Sequence, residues 1–304
     1  MNASSSSTSA LETRRILLFV GLALAISGSA ALYLALSGGL AADPVRTLLV
    51  LALWYMPGPA LANLLTRGLT REGWGNLYVR PRLRAGWPAW LVAWFLPPLL
   101  VIAGMALYFA LFPQHFDAAL SQVQALLDRM AAQTGRPAPL TPMLFAALQT
   151  VQAALIAPLV NAPASFGEEF GWRAYLQPKL LPLGWRRAML WMGLIWGVWH
   201  WPILALGYNY GVAYPGAPWL GMLVFLWFTF TVGTLFGWLA VRGGSVWPAV
   251  IAHGALNGMA NLPALFVQGD PNPLLGPLVV GLIGGLGFAV AGLWAWLVPP
   301  KEPQ

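Results

Sequence analysis

No Lys, Arg, Asp or Glu stands between Ile16 and Leu36, between Ala85 and Gln114, between Ala188 and Val241, or between Pro271 and Pro300. Each run is long enough to cross a hydrocarbon core, which takes roughly 20 apolar residues. A backbone placed there must satisfy its own hydrogen bonds, and a helix does so within one segment. The alternating apolar and polar ten-residue segments of an outer-membrane barrel are absent. Only 8% of the chain is charged, against roughly 25% in a soluble domain. The fold class is all-α: a polytopic helical membrane protein with about eight transmembrane helices.

Charge at the ends of these runs sets the topology. Arg14 and Arg15 precede a first span that is too long for a signal-peptide core, so it is read as uncleaved. A second span runs over about 45–65, bent by Pro57 and Pro59. Arg67, Arg71, Arg80, Arg82 and Arg84 follow against Glu72 alone, marking a cytoplasmic loop. The third span covers about 87–112. Beyond it Phe116, Ala119, Leu120, Val123, Leu126, Leu127 and Met130 form the stripe of an amphipathic helix. That helix lies in the membrane interface or caps the bundle.

Residues 142–183 would reach roughly 60 Å as one straight helix. Lys179, Arg186 and Arg187 must share a side with the arginine-rich loop, so this stretch crosses once, with a break near Pro158 or Pro163. Further spans are expected over 188–207, 219–241, 246–266 and 274–297, with both termini cytoplasmic and the protein multi-pass in the plasma membrane. Paired glycines (193 and 197, 233 and 237, 254 and 258, 281 and 285) would let helices approach closely. The expected organisation is a disordered tail over 1–14, three spans and the amphipathic helix over 15–141, a core over 142–266, and a last span with its tail over 267–304. The net charge of +7 is spread over short loops, which excludes a nucleic-acid surface. There is no cysteine, so disulfides and thiolate metal sites are excluded. The partners left are the lipid bilayer and a peptide or membrane-protein substrate.

Against this background a few polar groups stand out, because an ionisable group in a span is expensive to keep. Glu168 and Glu169 point about 100° apart on a helix. Glu169 and Arg173 are spaced i, i+4 with the acid first, the favourable order for an ion pair, and that pair reads as structural. Glu168 has no such local cation and continues a polar stripe from Asn161 and Ser165. Desolvation makes an unpaired carboxylate a stronger base, suited to general-base work. His200 lies in an aromatic span, about 12 residues or roughly 18 Å from its basic end. His253 and Asn257 share a helix face, which Asn261 extends, and two neutral donors side by side suit an oxyanion hole. These groups are expected to converge in the cytoplasmic half of the bundle. The same ionisable residues could instead serve a proton relay in a transporter.

Glu-Glu-x-x-x-Arg, then aromatic-x-x-x-His, then His-x-x-x-Asn, on successive apolar spans, resembles the CPBP family of intramembrane proteases. This is the CAAX-prenyl-protease and bacteriocin-processing group, formerly called the abortive-infection family. The likeness covers about 143–266, with Trp196 standing where the family has Phe. It implies an endopeptidase in which Glu168 deprotonates water and His200 helps to hold it. His253 and Asn257 would stabilise the oxyanion, and Glu169 and Arg173 would support the site. It implies no obligatory cofactor, although Glu168, His200 and His253 would be the ligands of a zinc-dependent version. A non-catalytic immunity or scaffold protein on the same fold is the remaining alternative.

Overall fold

The computed structural model describes residues 3–137 and 139–301. Its helices are α1 (Ala3–Leu36), α2 (Pro44–Val50), α3 (Gly58–Thr70), α4 (Leu83–Leu111), α5 (Ser121–Thr134), α6 (Pro142–Leu155) and α7 (Ala157–Val160). They continue with α8 (Ala162–Gly171), α9 (Gln177–Leu180), α10 (Trp185–Ala205), α11 (Trp219–Gly243), α12 (Trp247–Met259) and α13 (Leu286–Leu297). No strand occurs among the described residues beyond one isolated bridge, Phe116 to Val267. The protein is a polytopic helical membrane protein, as its uncharged runs require.

Five stretches are long and apolar enough to cross a membrane: Leu11–Leu36, Pro44–Thr70, Leu83–Leu111, Trp185–Ala205 and Trp219–Gly243. The other expected crossings are broken. The stretch from Pro142 is interrupted at Ile156 and Asn161, each two residues before a proline, Pro158 and Pro163. A proline lacks the N–H its turn requires and crowds the carbonyl four residues back. Pro57 and Pro59 act similarly in the second span, where Leu51–Tyr55 widens into a π-helical turn. Two expectations need correction. The span predicted over 246–266 is helical only to Met259, followed by a 3₁₀ turn from Leu262 to Phe266. The span predicted over 274–297 is helical only from Leu286, because Gly276, Pro277, Gly281, Gly284 and Gly285 make the preceding residues poor helix formers. The glycine pair at 281 and 285 therefore lies at a turn: a Cβ on Gly281 would meet Gly276 N at 2.5 Å. By contrast, Gly193 brings α10 onto α11, where a Cβ would come within 2.5 Å of Phe230 Cα. A further difference is that α1 continues back to Ala3 through the serine-rich stretch expected to be disordered. Once the apolar segment has nucleated a helix, each added residue gains one hydrogen bond. Residues 1 and 2 of that expected tail lie outside the described residues.

The basic loops gather at one end of the bundle. Lys179 bonds Glu72 at 2.6 Å and Glu12 at 2.7 Å, and Arg15 lies 3.6 Å from Glu72. Trp296 Nε1 donates to the Arg186 carbonyl at 3.0 Å, and Arg242 donates to the Lys301 carbonyl at 3.2 Å. At the opposite end α5 is docked on the bundle. Val123 and Leu127 are buried with Ala146 against Phe145, Leu265 and Phe266. Asp117 accepts from the Ser121 backbone N–H at 2.6 Å and so satisfies the first N–H of that helix.

Candidate active site

α8 carries the two glutamates into the core through close backbone contact with the second span. A Cβ on Gly171 would lie 2.4 Å from Pro59 Cβ, and one on Gly167 would lie 2.9 Å from Met56 O. Asn63 Nδ2 donates to the Phe170 carbonyl at 2.8 Å and fixes the register. Glu168 and Glu169 are both buried, at 3% and 0% exposed, and they turn to different partners. Glu169 Oε1 accepts from Arg173 at 3.0 Å, the ion pair expected from spacing. The same oxygen takes a second donor, His253 Nδ1 at 2.7 Å from α12. Glu168 Oε2 accepts from Trp196 Nε1 at 2.9 Å.

Trp196 is the hub of the cluster. Its ring stands edge-on to His200 at 5.6 Å and to His253 at 5.7 Å. The Arg173 guanidinium stacks on it 4.5 Å from the ring centroid. The Trp196 carbonyl lies 2.8 Å from His200 Nδ1. A carbonyl can only accept, so Nδ1 carries the proton and neutral His200 keeps an unprotonated Nε2. His253 likewise spends Nδ1 on Glu169, which leaves Nε2 as its other functional nitrogen. Glu168, Glu169 and Arg173 carry two negative charges and one positive, so one further proton on the cluster makes it neutral.

Glu168, His200, His253 and Asn257 all line one cavity of about 100 Å³. That is room for several waters, since one needs roughly 10–15 Å³ by the same kind of measure. Asn257, one turn beyond His253, is exposed. The two expected polar stripes do not extend into the cavity through Asn161 or Asn261. Asn161 Nδ2 donates to the Gly254 carbonyl at 3.0 Å and ties α8 to α12. Asn261, beyond the end of α12, lines a separate opening with Gln149 and Gln152. Ser165 is buried, and its hydroxyl has no partner among the described residues.

Tyr208, Asn209, Val279 and Val280 also line the cavity, from segments at the end remote from the basic loops. α10 begins at Trp185 and stops at Ala205, which leaves His200 nearer the end that leads to Tyr208. Tyr55, Tyr208 and the Trp196 indole N–H escaped sequence reasoning. Nothing in local spacing marks a tyrosine in a loop or a tryptophan among many as facing a distant carboxylate.

The zinc alternative does not fit this geometry. Both imidazoles have their Nδ1 held as a metal ligand's would be. Yet among the described residues no three His, Asp or Glu donors come together closely enough to hold an ion. No step is therefore assigned to a metal.

Residues 140–259 match the family described as type II CAAX prenyl endopeptidase, Rce1-like. Residues 140–259 belong to this family. The matched stretch contains Glu168, Glu169, Arg173, Trp196, His200, His253 and Asn257, so every polar member of the cluster lies within the prenyl-endopeptidase region. The match supports a CAAX-type intramembrane protease in general, acting among lipids on a peptide or membrane-protein substrate. A 94-residue stretch is also 35% identical to the fluoride-specific ion channel FluC of Xanthomonas euvesicatoria pv. vesicatoria (strain 85-10), over 27% of this chain and 71% of that protein.

Proposed function

We propose that the protein hydrolyses a peptide bond of a prenylated, membrane-anchored or leader-bearing substrate with water activated by Glu168, without a metal. The observation that carries this reading is the single cavity shared by Glu168, His200, His253 and Asn257. Glu168 Oε2 is held by Trp196, which leaves Oε1 for water. Neutral His200 accepts through Nε2. A water donating one O–H to each of these acceptors turns a lone pair toward the substrate carbonyl. Glu168 takes the water proton as the C–O bond forms. With the cluster's further proton on Nε2, His253 is doubly protonated, and it and Asn257 donate to the developing oxyanion. Collapse breaks the C–N bond, and the leaving amine takes the proton from Glu168. Glu169 and Arg173 touch no substrate; they hold His253 and the Trp196 ring in place. Residues 142–266 form the catalytic unit in this reading. The gathering of basic loops at one end supports cytoplasmic termini in a plasma membrane.

The test is cleavage of an internally quenched peptide with an S-farnesyl cysteine near its C-terminus by detergent-purified protein. Glu168→Gln keeps the shape of the side chain and an acceptor for Trp196 but lacks the base. It is expected to lose cleavage by at least 10²-fold with no loss of thermal stability. Retention of the wild-type rate would refute the glutamate mechanism. Transport is a second reading, favoured by the channel likeness. Fluoride or proton flux from liposomes, without any peptide cleavage, would establish it instead.

A further inference from the structure

The cavity has two tyrosines in its wall, and they differ in how their hydroxyls are used. Tyr55 is buried and spends its O–H on the Trp199 carbonyl at 2.5 Å. Tyr208 lines the same cavity, and its hydroxyl has no hydrogen-bond partner among the described residues. Tyr208 is half-buried on the wall of this cavity, so its donor is available to a group bound there.

The backbone fixes where Tyr208 sits. α10, the helix that carries His200, ends in a Schellman turn. Gly207 takes the left-handed conformation with φ 93°. Its N–H bonds the Leu204 carbonyl at 2.9 Å, and the Tyr208 N–H bonds the Ile203 carbonyl at 3.1 Å. This is the closed pattern that ends a helix with a defined exit, so Tyr208 is rigidly referenced to His200. Two residues on, the Tyr210 hydroxyl donates to the Val280 carbonyl at 2.7 Å, which pins the loop to the segment supplying Val279 and Val280 to the cavity wall. Burial, then the nearby Glu168 carboxylate, push the Tyr208 phenol above its ordinary range, so it remains a proton donor at any working pH.

Resting on the endopeptidase reading, we propose that Tyr208 is a further catalytic residue whose hydroxyl donates a hydrogen bond to the scissile carbonyl oxygen as that oxygen becomes an oxyanion. The proton stays on the phenol throughout. The bond strengthens as charge develops and relaxes when the C–N bond breaks. It acts together with His253 and Asn257, which line the same cavity. A donor of this kind accelerates the reaction because it binds the transition state more tightly than the substrate.

The experiment compares wild type, Tyr208→Phe and Glu168→Gln on the S-farnesyl quenched peptide, together with binding of the matching peptide aldehyde, whose hydrate mimics the tetrahedral intermediate. Tyr208→Phe keeps the ring and removes only the hydroxyl, and its melting temperature serves as the folding control. The expected result is a fall in kcat of roughly 10- to 100-fold with KM little changed, and an equal loss of aldehyde affinity. A packing role would leave aldehyde and substrate binding in the same ratio. Wild-type kcat in Tyr208→Phe, with Glu168→Gln inactive, overturns this proposal and leaves the endopeptidase reading standing. An active Glu168→Gln, or wild-type protein inert toward the probe, removes the reading and the proposal with it.

Discussion

Replacing Trp196 by Phe tests how far Glu168 depends on a single indole N–H. The bond from Trp196 Nε1 to Glu168 Oε2 is 2.9 Å long, and both residues are buried. A hydrogen bond to a charged acceptor contributes about 1.5–3 kcal/mol. At 1.36 kcal/mol per decade of rate, that is roughly 10- to 100-fold if the whole of it serves to orient the base. Phe keeps a ring beneath Arg173, so the cation–π contact is weakened rather than lost. The smaller ring also leaves a void, and that effect has to be separated from the lost bond. Trp199 supplies the control: it is buried, and its Nε1 has no partner. Trp199→Phe removes similar ring volume without breaking a hydrogen bond. Cleavage of the quenched peptide and thermal melting, measured on both variants, isolate the N–H contribution as their difference. Equal losses of kcat and stability in the two variants would show that the Trp196 bond does not position Glu168.

Other outcomes follow from the same geometry. Glu169→Ala strips the shared acceptor from Arg173 and His253 and leaves a buried guanidinium uncompensated, a loss of about 3–5 kcal/mol; a melting temperature within a few degrees of wild type would contradict that. Glu169→Gln, which keeps an acceptor without the charge, is expected to fold better than the alanine variant and to cleave more slowly than wild type. Gly193→Ala drives a methyl group to 2.5 Å from Phe230 Cα, so separation of α10 from α11 is expected to destabilise the bundle by about 1–3 kcal/mol. An unshifted melting curve would show that the interface can yield. Lys179→Ala removes one pair with the exposed Glu12 and one with the largely buried Glu72, and a loss of stability of about 1–3 kcal/mol is expected, with an unshifted melting curve contradicting it.

Much of the protein is legible along the chain because it depends on near neighbours. An uncharged run demands a helix in lipid whatever surrounds it. The Glu169–Arg173 pair follows from i, i+4 spacing alone. His253 and Asn257 share a face for the same reason, and both line the cavity. Tertiary structure decided what lies beyond a helical turn. Glu169 serves His253 as well as Arg173, across 84 positions. Trp196 reaches back 28 positions to Glu168, and Tyr208 enters the cavity from a loop. The broken passes and the siting of the cavity away from the basic loops also came from packing, since glycine and proline forbid a straight helix without specifying where the chain goes instead. Periodicity says which residues share a face; only the assembled bundle says which face meets it.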